Sequence, residues 1–368
     1  MSSNVRLSDF FIFFAIFLDV FSFYLGEHSF FYNYTQLAAF VKVLSFFSLI
    51  LAITIKGKIS VNLTYFLLTI LTLLIAHQVS VSSISVVSYL FFIFKYFLLY
   101  NFPKALIVRA LLFFVRVMLL SLLIVFFLYY DSVTVRGAID FAFSNENKLP
   151  FLLSTILFVL FLISKDSNKL LKYKSFTFVF LVIASYMASS LTALVTTFLF
   201  LFVYSLFYLF PTLKKLAFIA PILVIIFTTL ATLKYDDNLI LNVALSSRPY
   251  NWGKFVDIEE LSVLPSQLKI SEYKKDLSDT DFRRNVGLGS PNAYFFDNAY
   301  INILYRCGLL LSFILFLLTI YVFIHNVNSG FLAVGVAISF QMFTESAIFF
   351  PLGGFIIWLV FGVLNLRR

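Results

Sequence analysis

The feature that most constrains this chain is a succession of apolar runs of about 20 residues, separated by short polar breaks. Twelve such runs can be marked: about 8–25, 35–55, 59–76, 79–101, 105–130, 149–164, 175–188, 191–210, 215–233, 298–324, 330–346 and 348–365. A run of this length spans the roughly 30 Å hydrocarbon layer as an α-helix. Backbone N–H and C=O groups find no water there, so only helices or closed barrels cross. The composition agrees: 61% of residues are hydrophobic, 12% are charged, and the mean hydropathy is +0.99. A soluble domain carries roughly 25% charged residues, so this chain lacks the charge to cover a water-facing surface. The predicted fold is all-α, a polytopic membrane helix bundle of about 12 transmembrane helices. The short pairs either side of Ser189-Ser190 and Ser346-Ala347 leave open broken or re-entrant helices.

Loop charge sets the expected topology. Alternate loops and the termini carry Arg6, Lys56, Lys58, Lys104, Arg109, Lys165, Lys169, Lys172, Lys174, Lys214, Lys215, Arg367 and Arg368; the opposite short loops carry Arg136 and Lys148, a ratio of 13 to 2. Both termini are therefore expected in the cytoplasm, which needs an even number of spans. Arg6 precedes an apolar run with no small-residue cleavage site after it, so that run reads as a first transmembrane helix and not a cleaved leader. Residues 234–297 form one large outer loop, with 8 basic and 10 acidic residues. They divide the chain into helices 1–9 (1–233), the loop (234–297) and helices 10–12 (298–368). Within the loop, Phe255, Ile258, Leu261, Leu264 and Leu268 have the spacing of a surface helix.

The net charge of +9 follows from these loops and gives no reason to expect nucleic acid. The single cysteine, Cys307, and three separated histidines, His28, His77 and His325, offer no disulfide framework and no metal cluster. No glycine-rich nucleotide motif is present.

Charges inside spans cost about 2.5–3.5 kcal/mol each at the helix centre on insertion scales. Lys95 can snorkel to the cytoplasmic face. Asp19 and Lys42 lie at similar depth on adjacent helices and can pair. Arg116 lies near mid-span and is expected to face the bundle interior, as a structural pair or as the floor of a cavity. Arg306 lies two turns into its helix. Asp297 opens the same helix, where it suits an N-cap or an active carboxylate; Glu345 suits a salt bridge to Arg306 or Lys42, or a catalytic role. Arg136, Arg248, Arg283 and Arg284 lie in the outer loops. Arginines bind phosphate bidentately, so basic residues with carboxylates at the outer boundary suit a lipid diphosphate and an alcohol acceptor.

Four segments carry a family resemblance: Arg136-Gly137-Ala138 with Ser144-Asn145-Glu146-Asn147; Ser189-Ser190-Leu191-Thr192-Ala193; Ser246-Ser247-Arg248-Pro249-Tyr250-Asn251-Trp252; and Asp297-Asn298-Ala299-Tyr300-Ile301-Asn302-Ile303-Leu304, followed by Gly308. Their order and the topology resemble the O-antigen polymerase (Wzy) branch of the O-antigen ligase/polymerase superfamily, over about 105–350. The resemblance implies a cofactor-free, metal-independent glycosyltransferase of the bacterial inner membrane. It would join oligosaccharide repeat units linked to undecaprenyl diphosphate, with membrane lipid around it and a chain-length regulator as protein partner. Arg136 and Arg248 match the family's key outer-loop arginines. Arg248, with Arg136 or Arg284, would neutralise the leaving diphosphate, while Asp297 or Glu345 orients or deprotonates the acceptor hydroxyl. Arg283, Arg284, Arg306, Arg116, Trp252, Asn298 and Tyr300 are candidates for holding diphosphate or sugar. The ligase branch carries a histidine before the asparagine where this chain has Asp297-Asn298, and no histidine occurs from 78 to 324. A transporter or flippase of lipid-linked sugars would instead need charges lining a path through the membrane centre.

The topology predicts that alkaline phosphatase fused after Asp276 is active, while the same enzyme fused after Lys215 is inactive. The reverse pattern would invert the bundle in the membrane.

Overall fold

The computed structural model describes residues 3–27, 35–56, 102–133, 139–143, 148–163, 170–233, 263 and 298–344. Among them are nine α-helices: α1 (Ser3–Glu27), α2 (Thr35–Lys56), α3 (Lys104–Leu128), α4 (Lys148–Ile163), α5 (Leu171–Met187), α6 (Leu191–Leu209), α7 (Ile219–Leu233), α8 (Ala299–His325) and α9 (Ser329–Thr344). A short 3-10 helix, Pro211–Leu216, joins α6 to α7. The described residues contain no strand, only an isolated Val133–Ile139 bridge. Four segments are long and apolar enough to cross a membrane: Gln36–Lys56, Ala105–Leu128, Leu191–Leu209 and Gly308–His325. The expected runs 59–76, 79–101 and 348–365 lie outside the described residues, as does the 234–297 loop apart from Val263.

The packing contacts assign helix direction. Ser8 Oγ donates to the Ala52 carbonyl at 3.2 Å, and the Ser45 hydroxyl lies 2.8 Å from the Ala15 carbonyl, so α1 and α2 are antiparallel. α3 runs parallel to α1, because Asp9 meets Arg109 at 3.6 Å, Phe13 meets Phe113, and the Tyr24 hydroxyl donates to Ser121 Oγ at 2.8 Å. The end of α2 and the start of α3 are neighbours, with Lys56 Nζ 5.0 Å from the Phe102 ring centroid. The end where α1 begins is called basal below and the opposite end distal. α5 and α6 form a hairpin about residues 188–190, with Phe178 against Phe198. This resolves the Ser189-Ser190 region as two full helices and a tight turn, with Ser189 at φ 53°.

α4 and α9 are the innermost helices. Every residue from Leu149 to Leu160 is buried, and α9 is buried over most of its length against α6, α7, α8 and α4. A helix that is apolar all round belongs inside a bundle, where its 16 residues need not meet lipid. The outer helices expose apolar side chains instead, among them Phe17, Phe40, Phe127, Phe198 and Phe202. Bare rings over so much surface suit lipid and not water. Five hydroxyls within the apolar layer are satisfied by their own helices: Thr155, Thr177, Thr197, Thr319 and Ser339 each donate to the carbonyl four residues before.

Asp19, the expected partner of Lys42, has its carboxylate 2.9 Å from Ser45 Oγ, one turn further along α2. One expectation for intramembrane charge changes. Arg116, expected to face inward, is exposed, with its guanidinium carbon 5.6 Å from the Tyr173 ring centroid. The reason is the short α5, which begins at the level of the middle of α3 and brings a polar first turn to that depth.

α8 is broken at Gly308, which has φ 74° and ψ 172°. The break answers a length conflict. Unbroken, α8 would be about 40 Å long and α9 only about 24 Å, yet the two are linked at both ends. Asn298 bonds to Phe343 at the distal end, and only Asn326–Asn328 separate the helices at the other. The backbone N–H of Leu310 is satisfied by the Val263 carbonyl at 3.1 Å, so the 234–297 segment supplies an acceptor at the break.

Gly308→Ala puts a Cβ on a backbone conformation reserved for glycine, and should cost about 1–3 kcal/mol. Gly330→Ala, in regular helix with no atom nearer than 3.4 Å to the added carbon, should cost less. Thermal unfolding of the two purified variants tests the order.

Candidate functional site

The candidate site is built where α8 begins and α9 ends. Asn298 is the N-cap of α8 and is fully buried. Its Oδ1 accepts from the Ile301 N–H at 3.0 Å, and its Nδ2 donates to the Phe343 carbonyl at 3.0 Å. Helix ends leave the first N–H and last C=O groups without intrahelical partners. One amide side chain therefore satisfies a donor of α8 and an acceptor of α9 together. The Tyr300 hydroxyl donates to the Ser339 carbonyl at 3.0 Å, making a second link between the same helices.

These contacts revise one expectation: the N-cap role considered for Asp297 belongs to Asn298. The side chains of Asn298 and Tyr300, candidates for holding diphosphate or sugar, join the two helices. Arg306 lies two turns into α8, as expected, and two residues before the Gly308 break.

A second part of the distal end is the loop after α3. Phe141 and Phe143 are 0% and 2% exposed. Phe141 stacks on Phe126 at 5.3 Å, and Phe143 meets Tyr24 at 6.4 Å. Reaching those positions requires left-handed backbone at Phe141 (φ 53°) and Ala142 (φ 58°). That conformation costs roughly 1–2 kcal/mol per residue, whereas burying a Phe side chain contributes about 1.5–3 kcal/mol. Asp140 supports the turn, its Oδ1 accepting from Ser132 Oγ at 2.7 Å and the Ala142 N–H at 2.9 Å. The Val133–Ile139 bridge closes the loop, and Arg136 falls between those two residues in sequence.

Arg136, Arg248, Trp252, Arg283, Arg284, Asp297 and Glu345 lie outside the described residues. Their attachment points are described. Asp297 directly precedes Asn298, Glu345 directly follows Thr344, and the Asn298–Phe343 bond holds these two points of the chain together. The 129–147 connection and the 234–297 segment depart from the same distal end. Arg116 is set apart from them, at the middle of α3 on the flank it shares with α5.

The Ser189-Ser190 motif also reaches this end. Ser185 Oγ, Ser190 Oγ and Thr196 Oγ1 are buried without a hydrogen-bond partner among the described residues. Serine and threonine in an apolar run looked unexceptional in sequence, and only the hairpin reveals their burial. Asp140 was missed for a related reason, since nothing local marks Phe141 and Ala142 as left-handed. Among the described residues no group of three or more His, Cys, Asp or Glu side chains converges as a metal site.

No family model, no curated protein and no solved structure matches this chain.

Asn298→Ala should destabilise the protein by about 2–4 kcal/mol, through loss of the cap and a buried carbonyl left without a donor. Asn298→Ser keeps a cap acceptor but cannot reach Phe343, and should fall between Asn298→Ala and the native chain in thermal unfolding.

Proposed function

We propose that this chain is a surface-polysaccharide polymerase of the O-antigen polymerase type. It joins oligosaccharide repeat units carried on undecaprenyl diphosphate, at the outer face of the bacterial inner membrane. In this reading the chain crosses the membrane 12 times with both termini in the cytoplasm, and 234–297 is a periplasmic loop. The end of α2 and the start of α3 share the basal end, which is compatible with an even number of crossings between them. The observation that carries the reading is the Asn298–Phe343 hydrogen bond. It joins the chain points next to Asp297 and Glu345 at the end from which the segments bearing Arg136 and Arg248 also depart.

The chemistry needs a cationic site for the leaving diphosphate and a base for the acceptor. The bond between the anomeric carbon and the diphosphate oxygen breaks, and the bond to the acceptor hydroxyl oxygen forms. The hydroxyl proton passes to Asp297 or Glu345, and the lipid diphosphate leaves as an anion neutralised by Arg248 with Arg136 or Arg284. Arginine suits this role because it stays charged and presents paired donors to phosphate oxygens. Fixed charge aimed at a developing anion is usually the largest single contribution to such a step.

The test is complementation of a polymerase-null strain with Arg248→Ala and Arg136→Ala, followed by electrophoresis of the surface glycan. Each variant, expressed at native level, should leave a single repeat unit on the core, with chain extension reduced at least about 100-fold as for loss of one oxyanion donor. A full-length ladder from either would remove that arginine from the mechanism. Complete absence of repeat units in a strain lacking the gene would indicate a flippase.

A further inference from the structure

Arg116 has no part in the proposed reaction, and its surroundings suggest another use. It lies 12 residues into α3, about 18 Å from the helix start, and its side chain is exposed. The guanidinium carbon sits 5.6 Å from the Tyr173 ring centroid. Exposed Lys172 is the neighbouring residue on α5. Lys174 Nζ is turned onto the Phe161 ring at 4.0 Å.

The chain has little with which to neutralise this flank. Among the described residues the basal end carries Lys56, Arg109, Lys214 and Lys215, and the flank above it Arg116, Lys172 and Lys174. Its described carboxylate, Asp9, already faces Arg109 at 3.6 Å. Residues 57–101 contain no Asp or Glu, and 164–169 contain Asp166 between Lys165 and Lys169. Among the described residues, Asp19, Asp131 and Asp140 lie on or beyond the distal halves of their helices. An exposed arginine on an apolar helix is costly without a counter-charge, and among the described residues no carboxylate pairs with Arg116. The exposed face of a membrane helix meets lipid, and basic positions between helices near a membrane surface bind anionic headgroups.

We propose that the flank between α3 and α5 is a binding site for an anionic phospholipid. The headgroup phosphate accepts from the guanidinium edge of Arg116, the Tyr173 ring lies against that guanidinium, and Lys172 adds a second positive charge. The short α5 makes this geometry possible. Its polar first turn begins at the level of Arg116, so the local apolar thickness is reduced and a headgroup can reach that depth.

Native mass spectrometry of the full chain in detergent tests the proposal, with phosphatidylglycerol, phosphatidylcholine or undecaprenyl phosphate added. Wild type should retain phosphatidylglycerol in preference to phosphatidylcholine. Arg116→Gln should weaken that retention about five-fold, the equivalent of the roughly 1 kcal/mol that one basic residue contributes at an anionic surface. Arg116→Lys, which keeps the charge but loses the paired donors, should fall between. Lys215→Gln, an exposed basal charge away from the flank, should bind as wild type does. Should Arg116→Gln misfold, Arg116→Lys decides the matter: retention equal to wild type overturns the proposal. Equal retention of the two phospholipids also overturns it, as does preference for undecaprenyl phosphate over phosphatidylglycerol.

Discussion

Backbone polar groups in an apolar surrounding must find partners within the protein, and the whole architecture depends on that requirement. Helices meet it for their own interiors. The difficulty moves to helix ends and breaks, where the informative interactions of this structure are found. Asn298 satisfies a donor of α8 and an acceptor of α9. Val263 supplies a carbonyl to the Leu310 N–H beside the Gly308 break. Asp140 accepts the N–H of Ala142 in a turn that buries two phenylalanines. Each of these is a point where backbone that cannot complete a helix is repaired by another part of the chain.

The repairs at α8 and at the loop after α3 are concentrated at the distal end. This asymmetry has a physical origin in unequal helix lengths. α4, α5 and α9 have 16 or 17 residues, whereas α3 has 25 and α8 has 27. Short helices packed beside longer ones cannot all begin and end in the same planes. α8 meets the mismatch by breaking, and α3 meets it by extending beyond the first turn of α5. The first solution brings a non-helical backbone to the distal end; the second leaves Arg116 on an exposed flank. The proposed polymerase chemistry and the proposed lipid site thus have a common cause in the mismatch between short and long neighbouring helices.

The length of the apolar runs made the helices legible before any coordinates. All nine described helices fall on expected runs, because a stretch of twenty apolar residues has few alternatives to a helix. The glycine at 308 and the asparagine at 298 also stood out in sequence, as members of one motif. Their roles did not, since an N-cap is local but its second hydrogen bond depends on a partner 45 residues away.

What the amino-acid sequence determined by itself is the all-helical class, the apolar exterior and the clustering of basic residues, since each follows from local composition and the solvation of single residues. What only the tertiary structure decided is which polar groups meet. Arg116 was expected to turn inward because its cost was judged on an isolated span of full length. The packed bundle leaves it exposed, because α5 starts beside it and changes the depth at which polar groups are tolerated. Asn298 was singled out by its place in a family motif. That its amide joins the ends of two helices is set by their relative length and register.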